Sequence, residues 1–404
     1  MSGKKVLISG LGIAGPTLAF WLKATGFQPT LVEHAPLLRS GGYVIDFWGL
    51  GYDIAERMGL RDEINRIGYH IREMRIVNER GRRVSGFGTR VFRELTGGRY
   101  VTISRGALSR LLVEKITDSA EIILGDEIHS LQEYRDCVEV DLARGGRHEF
   151  DLVVGADGLH SKVRRLIFGP QDRFEKLLGY VVAAFETTGY RSRDEDVYVM
   201  FSDPGRMVGR VTLGDDRTLF LFVFTTDLAT SAAPTDLPAQ KAMLRARFGD
   251  KAWECPQILD ALDRTNDLYF DRVSQIRMPK WSRGRIALVG DAAYCVSLVA
   301  GQGSALAMTG AYVLAGELAR AAGCHAEGFA NYENQLRAFI ETKQQGAERF
   351  AGAFAPKTGW GLFLRNQVIR ATAIPGIARL AFGKDIVDRL RLPDYPWRTL
   401  AANR

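Results

Sequence analysis

The sequence predicts an α/β fold in which a parallel sheet with packed helices is interrupted by an inserted antiparallel sheet and followed by a helical tail. Three observations predict it. The chain opens as strand, turn, helix, strand. Short apolar strands running into Gly- and Asp-containing turns return near residues 150 and 285. Between those returns the pattern changes to β-branched and aromatic segments.

Taken in order, Lys5–Ser9 is a short apolar strand, residues 10–15 a turn, and residues 16–25 a helix closed by Gly26. Residues 30–32 form a second strand that ends at Glu33. Residues 150–155 run as a strand into Ala156-Asp157-Gly158. Residues 285–289 run into Gly290-Asp291, and a long helix follows from about Ser304. From about Phe174 to Ile276 the strands include 196–201 and 219–224, and Gly214-Asp215-Asp216-Arg217 reads as a hairpin turn. The expected division is therefore 1–75, 100–173 and 277–344 for the parallel-sheet domain, 76–99 and 174–276 for the inserted domain, and 345–404 for a C-terminal helical segment. That segment carries Trp360, Leu362, Phe363, Leu364, Val368 and Ile369, with Arg365 and Arg370 between them, and Pro375 and Pro393 break it. Its apolar face is expected to pack on its own domain, so membrane association is not expected.

Bulk properties remove several function classes. At 404 residues, 46% apolar and 25% charged, the chain can bury a substantial core and is not disordered. The net charge of +7 is spread along the chain, and no basic run interleaves with aromatics, so no nucleic-acid partner is expected. Cys137, Cys255, Cys295 and Cys324 sit at neither metal-ligand nor disulfide spacing. They read as reduced thiols of a cytoplasmic protein without a metal site. The uncharged stretch from 292 to 316 is long enough to span a bilayer, but Gly301-Gln302-Gly303 interrupts it, and a buried helix is the reading adopted. The apolar N-terminus is likewise broken by Gly10, Gly12, Gly15 and Pro16, unlike a secretory leader.

The chemistry begins at Gly10-Leu11-Gly12-Ile13-Ala14-Gly15, a G-x-G-x-x-G sequence placed after a strand and opening a helix. The glycines allow a tight turn and close backbone approach to a pyrophosphate. The helix start offers free N–H groups and the positive end of its dipole. Glu33, 18 residues after Gly15, stands where a carboxylate accepts hydrogen bonds from a ribose. Gly10, Gly12, Ala14, Gly15 and Glu33 thus form a Rossmann-like dinucleotide site that does not by itself separate FAD from NAD.

Three further segments make that separation by resemblance. They are Gly155-Ala156-Asp157-Gly158-Leu159-His160-Ser161-Lys162-Val163-Arg164, then Gly290-Asp291-Ala292-Ala293 with Gly301-Gln302-Gly303, and Ser104-Arg105-Gly106-Ala107-Leu108. In order and spacing, over nearly the whole chain, they resemble the single-component FAD-dependent aromatic hydroxylases, the p-hydroxybenzoate hydroxylase-like family. Residues 281–318 and Leu364-Arg365-Asn366-Gln367 look closest to its tetracycline-inactivating branch.

The resemblance implies a Rossmann-like FAD-binding domain with the inserted sheet roofing a substrate cavity. It implies FAD as resident cofactor and NADH or NADPH as transient reductant, with no second dinucleotide motif. Oxygen transfer from O₂ to an aromatic or polycyclic small molecule would pass through a flavin C4a-hydroperoxide. It places Asp291 on the ribityl chain, Gly301, Gly303 and Ser304 at the pyrimidine edge of the flavin, and Arg105 near phosphate or flavin. Arg39 is placed near the adenosine end, and Asp46 is assigned to the same cofactor. Asp157 serves either the cofactor or its own turn. Arg210, Phe222 and Phe224 are candidates for the substrate cavity, as are Tyr198 and Phe220, and no catalytic side chain is identifiable. A monomer or weak homodimer is expected.

The chain departs from the family pattern in having Tyr294 after Gly-Asp-Ala-Ala and Leu298 where a proline walls the flavin. A flavin dehydrogenase or reductase on the same fold, or a non-catalytic flavin- or ligand-binding protein, stays open at this point.

Overall fold

The computed structural model describes residues 3–38, 43–190, 194–225, 233–297, 301–372, 388, 390–395 and 397. Arg39 and Leu298, both named above, lie outside them.

Val6, Leu7 and Ile8 of the strand Lys5–Ser9 are fully buried, so this strand takes a central position. It pairs in parallel with Gln28–Glu33 on one side and Leu152–Gly155 on the other. Glu121–Leu124 and Ile286–Leu288 extend the sheet in parallel, and Ser282–Arg283 closes one edge in antiparallel fashion. Helices Ala14–Ala24 and Gly303–Arg320 pack against each other on this sheet. The uncharged run is divided between Asp291–Tyr294 and the buried helix Gly303–Arg320. Among the described residues no helix is long and apolar enough to cross a membrane.

The second sheet has seven strands in the order Tyr269–Ile276, Glu175–Thr188, Arg217–Thr225, Arg206–Gly214, Val197–Asp203, Glu73–Val77, Arg83–Gly88. All pairings are antiparallel except Val197–Asp203 with Glu73–Val77. Both central residues of the 214–217 turn take positive φ (Asp215 +49°, Asp216 +56°), the geometry whose twist matches a hairpin. One face of this sheet is covered by helices Leu237–Phe248 and Cys255–Arg264, which bury Phe220, Phe222 and Phe224. The other carries Tyr198, Val211, Leu219, Leu221 and Tyr269 and meets Tyr43.

The tail departs from expectation in two ways. Residue 345 is no boundary, because a single helix runs His325–Phe354. The next helix, Gly359–Ala371, lies on the edge strand Arg83–Gly88 through Arg370, which donates to the Val84 carbonyl, and through the Ser85 hydroxyl, which donates to the Asn366 carbonyl. Leu362, Arg365, Asn366 and Ile369 turn inward. Trp360, Phe363, Leu364 and Val368 are left 80, 53, 63 and 53% exposed. The helix has apolar residues on both sides, and packing on its own domain covers only one of them.

Candidate active site

The site forms where three parallel strands end and two helices begin. Gly10 takes φ +108°, and a Cβ there would stand 2.5 Å from the Ala156 carbonyl oxygen. The turn after Lys5–Ser9 and the turn after Leu152–Gly155 therefore touch backbone to backbone. A Cβ on Gly15 would fall 2.0 Å from the Gly10 carbonyl oxygen, which fixes the helix Ala14–Ala24 against the turn. Gly290, at φ +67°, brings the end of Ile286–Leu288 within 3.4 Å of both Ala14 and Ala307 by the same measure. Gly12 differs. Among the described residues its added Cβ would meet, within 4 Å, only the Arg105 guanidinium, at 3.7 Å.

Around this turn the polar groups are fixed in place. Glu33 Oε2 accepts from the Leu11 N–H at 2.9 Å and Oε1 from the Ala35 N–H at 3.1 Å. The Ser109 hydroxyl donates to the Leu11 and Gly12 carbonyls, both at 3.1 Å, so the helix Arg105–Glu114 clamps the turn from the side. Arg105 opens that helix and donates its own N–H to the Tyr43 carbonyl. Its guanidinium pKa is raised chiefly by the Tyr43 phenol, against burial that lowers it, with Asp291 adding to the rise. Burial lifts the Tyr43 phenol to about 12, although Arg105 opposes the shift.

Asp291 begins the short helix after Gly290, and a Cβ on Gly303 would stand 3.7 Å from its Oδ1. Burial raises the Asp291 carboxyl, with Arg105 pulling it back down. Gly301, at φ +66°, faces the Trp48 ring, and the helix Gly303–Arg320 starts immediately after it with first-turn N–H groups free of intrahelical partners. Asp46 shares the small recess there with Trp48, Gly301, Gln302 and Thr309. Its Oδ1 accepts from the Tyr100 and Thr102 hydroxyls at 2.8 and 2.7 Å.

The glycine turn, Glu33, Arg105, Asp291 and the start of Gly303–Arg320 therefore cluster at the ends of the parallel strands, with Arg105 beside Gly12 and Asp291 beside Gly303. A bare backbone at Gly12, a helix start, an acid at each end and a cation between them fit a dinucleotide whose two phosphates carry negative charge. Tyr43 reaches from this cluster to Tyr269 of the second sheet, with ring centroids 5.1 Å apart.

Asp157 takes the turn role. Its carboxylate accepts from the Ser161 hydroxyl and from the N–H groups of Lys162 and Val163, capping the helix Lys162–Ile167. Arg164 of that helix, 1% exposed, donates to the Ala292 carbonyl at 2.9 Å and ties the segment 155–164 to Gly290-Asp291-Ala292-Ala293.

Arg210, Phe222 and Phe224 do not face this cluster. They lie on the far side of the seven-stranded sheet, Arg210 paired with Asp194 and Glu254 and the phenylalanines packed against Phe248. Both faces of this sheet are covered. An apolar strand such as 219–224 therefore reads the same on either face, and its parity is set only by the fold. Leu219, Leu221 and Tyr198 face the cofactor side instead. Sequence reasoning missed Tyr43, Ser109 and Tyr269. Tyr43 follows the Gly41-Gly42 pair and Ser109 sits one helical turn after Arg105, but neither position belongs to a motif.

A family model described as FAD binding domain matches residues 4–345. A flavin-dependent monooxygenase of Legionella longbeachae is 35% identical over 407 residues, covering 97% of this chain and 98% of its own length. A flavin-dependent monooxygenase from an unknown prokaryotic organism is 37% identical over 348 residues, covering 84% of this chain and 88% of its own. Among solved structures, the tetracycline destructase Tet(51) superposes with a TM-score of 0.82 at 30% identity, over 97% of this chain and 100% of its own.

Proposed function

The chain belongs to the FAD-binding-domain family of flavin-dependent monooxygenases, and from that premise we propose that it oxygenates a planar aromatic or polycyclic small molecule with NADH or NADPH as electron donor. The observation that carries the substrate class is the second sheet's inner face. There Tyr198, Leu221 and Tyr269 are only partly buried and meet Tyr43 over the packed Val211 and Leu219, an apolar and aromatic lining suited to a flat ring system. The relative Tet(51), named for tetracycline, supports a polycyclic substrate.

Gly10, Gly12, Ala14 and Gly15 would hold the pyrophosphate, Glu33 the adenosine ribose and Asp291 the ribityl chain. Gly301, Gly303 and Ser304 would face the pyrimidine edge of the flavin. Bound there, FAD would supply the electron transfer from the nicotinamide and the oxygen activation that this chemistry needs. The chain's own contribution is geometric and electrostatic. The start of Gly303–Arg320 stabilises negative charge beside it. Arg105 offsets phosphate charge, and the Tyr43–Tyr269 contact keeps water from the junction of the two sheets. In this reading the parallel-sheet unit serves the cofactor and the seven-stranded unit the substrate.

The test is turnover of the FAD-loaded protein with NADH or NADPH under ¹⁸O₂, using tetracycline and simpler phenols as probes. A product heavier by one ¹⁸O atom supports the proposal. NAD(P)H consumption with every probe returned unlabelled would assign the protein to reductase chemistry.

A further inference from the structure

The helix Gly359–Ala371 carries no acidic residue, and from residue 349 to residue 384 the chain has six basic residues and no acid. Its outward face is formed by Trp360, Phe363, Leu364 and Val368, which fall within one arc of the helix, and the Trp360 and Phe363 rings touch edge to face at 5.6 Å. The Arg370 guanidinium holds this helix to Val84, two residues beyond the exposed hairpin turn that carries Arg80 and Arg82 against Glu79. Arg83 of the same hairpin is paired with Glu73. Lys357 stands exposed just before the helix. The arrangement is an apolar patch with a tryptophan at one end and unbalanced positive charge beside it.

We propose that this face is a docking surface for an anionic lipid bilayer, on which the helix lies in the interfacial plane without crossing it. Two observations choose the bilayer over a second copy of the chain. The four side chains present on the order of 400 Å² together, given about 150–250 Å² for a large aromatic. A stable dimer needs about 800 Å² from each partner. The flanking charge is net positive, with Arg80, Arg82 and Lys357 against Glu79, so it disfavours a second copy and attracts an anionic headgroup layer. The patch also belongs to the element that packs, through Ile369, on the same face of the seven-stranded sheet as Tyr198 and Tyr269. A bilayer there sits beside the face assigned to substrate. The docking itself does not depend on that assignment.

The experiment is flotation of the full-length, FAD-loaded protein with vesicles of phosphatidylcholine alone and of phosphatidylcholine mixed with phosphatidylglycerol, at low and high salt. The protein floats with the mixed vesicles at low salt, and W360S/F363S lowers the apparent vesicle affinity about tenfold or more while flavin absorbance is retained. In the wild type, brominated lipid quenches tryptophan emission. In W360F, which keeps the apolar face, binding persists and the quenching is lost. Absence of flotation with the mixed vesicles overturns the proposal, as does flotation that W360S/F363S leaves unchanged. A concentration-dependent dimer that the double substitution abolishes, without vesicle binding, also overturns it and assigns the face to self-association.

Discussion

Replacing Glu33 by alanine separates its observed hold on the glycine turn from its proposed hold on the ribose. The side chain is 15% exposed, and each of its oxygens already accepts one backbone N–H, from Leu11 at 2.9 Å and from Ala35 at 3.1 Å. His34 Nδ1 also stands 2.8 Å from Oε1, so Oε2 is the oxygen that keeps a second lone pair for a ribose hydroxyl. Loss of a hydrogen bond to a charged acceptor costs about 1.5–3 kcal/mol, so FAD affinity is expected to fall roughly 10- to 150-fold. The same substitution strands the Leu11 N–H in the glycine turn, so the FAD-free protein should also lose about 1 kcal/mol of stability. Glu33→Gln keeps one acceptor oxygen and should fall between wild type and Glu33→Ala on both measures. Equilibrium dialysis gives the FAD dissociation constant, and urea denaturation of the FAD-free proteins gives the stability. An unchanged dissociation constant in Glu33→Ala would remove Glu33 from the cofactor site. Weakened binding with unchanged FAD-free stability would refute only the turn-holding role.

Gly12→Ala should leave the FAD-free protein close to wild-type stability, since among the described residues its new methyl meets only a flexible guanidinium, yet weaken FAD binding by crowding the pyrophosphate. Gly15→Ala should prevent stable folding because its methyl strikes the Gly10 carbonyl, and circular dichroism with FAD titration tells the two apart. Phe222→Ala should cost about 3–5 kcal/mol of stability, measured by denaturant unfolding, without moving the KM of whichever probe is oxygenated. Tyr198→Phe removes a buried hydroxyl with no hydrogen-bond partner among the described residues, so it should be neutral or stabilising in the same denaturation assay while changing that KM. His160 donates to Asp271 at 2.9 Å and its pKa is raised, first by that hydrogen bond. Its stabilising contribution is therefore full below the unfolded value of 6.5 and is lost as pH rises from there through the higher folded value. His160→Gln should flatten the fall of Tm over that window.

The cofactor half is legible because its residues act through backbone geometry at fixed spacing. Gly10 and Gly15 are required by atoms only a few residues away in the turn or on the adjacent strand, and Glu33 must end the strand next door. Arg105 and Asp291 were recognised as members of a pattern, but nothing in the sequence shows that they lean on Tyr43. That contact joins elements about 60 and 250 residues apart, and long-range contacts leave no periodic trace. The substrate half was misread at Arg210, Phe222 and Phe224 for a related reason. Strand period identifies which residues share a face, but only the fold decides that helices Leu237–Phe248 and Cys255–Arg264 cover the face of Phe220, Phe222 and Phe224. The tail helix was read correctly as a helix, and its exposed side was missed because Ile369 and Leu362 already supply an apolar side for packing.

The central claim is that one cleft, from Glu33 to the start of Gly303–Arg320, holds an extended FAD. Crystals of the yellow protein test it most directly through the electron density of the cofactor. Adenosine ribose is expected at Glu33, pyrophosphate over Gly12, and the isoalloxazine between Gly301–Gln302–Gly303 and the Tyr43–Tyr269 pair. Density for FAD elsewhere in the molecule, or with its flavin end at Glu33, would contradict it.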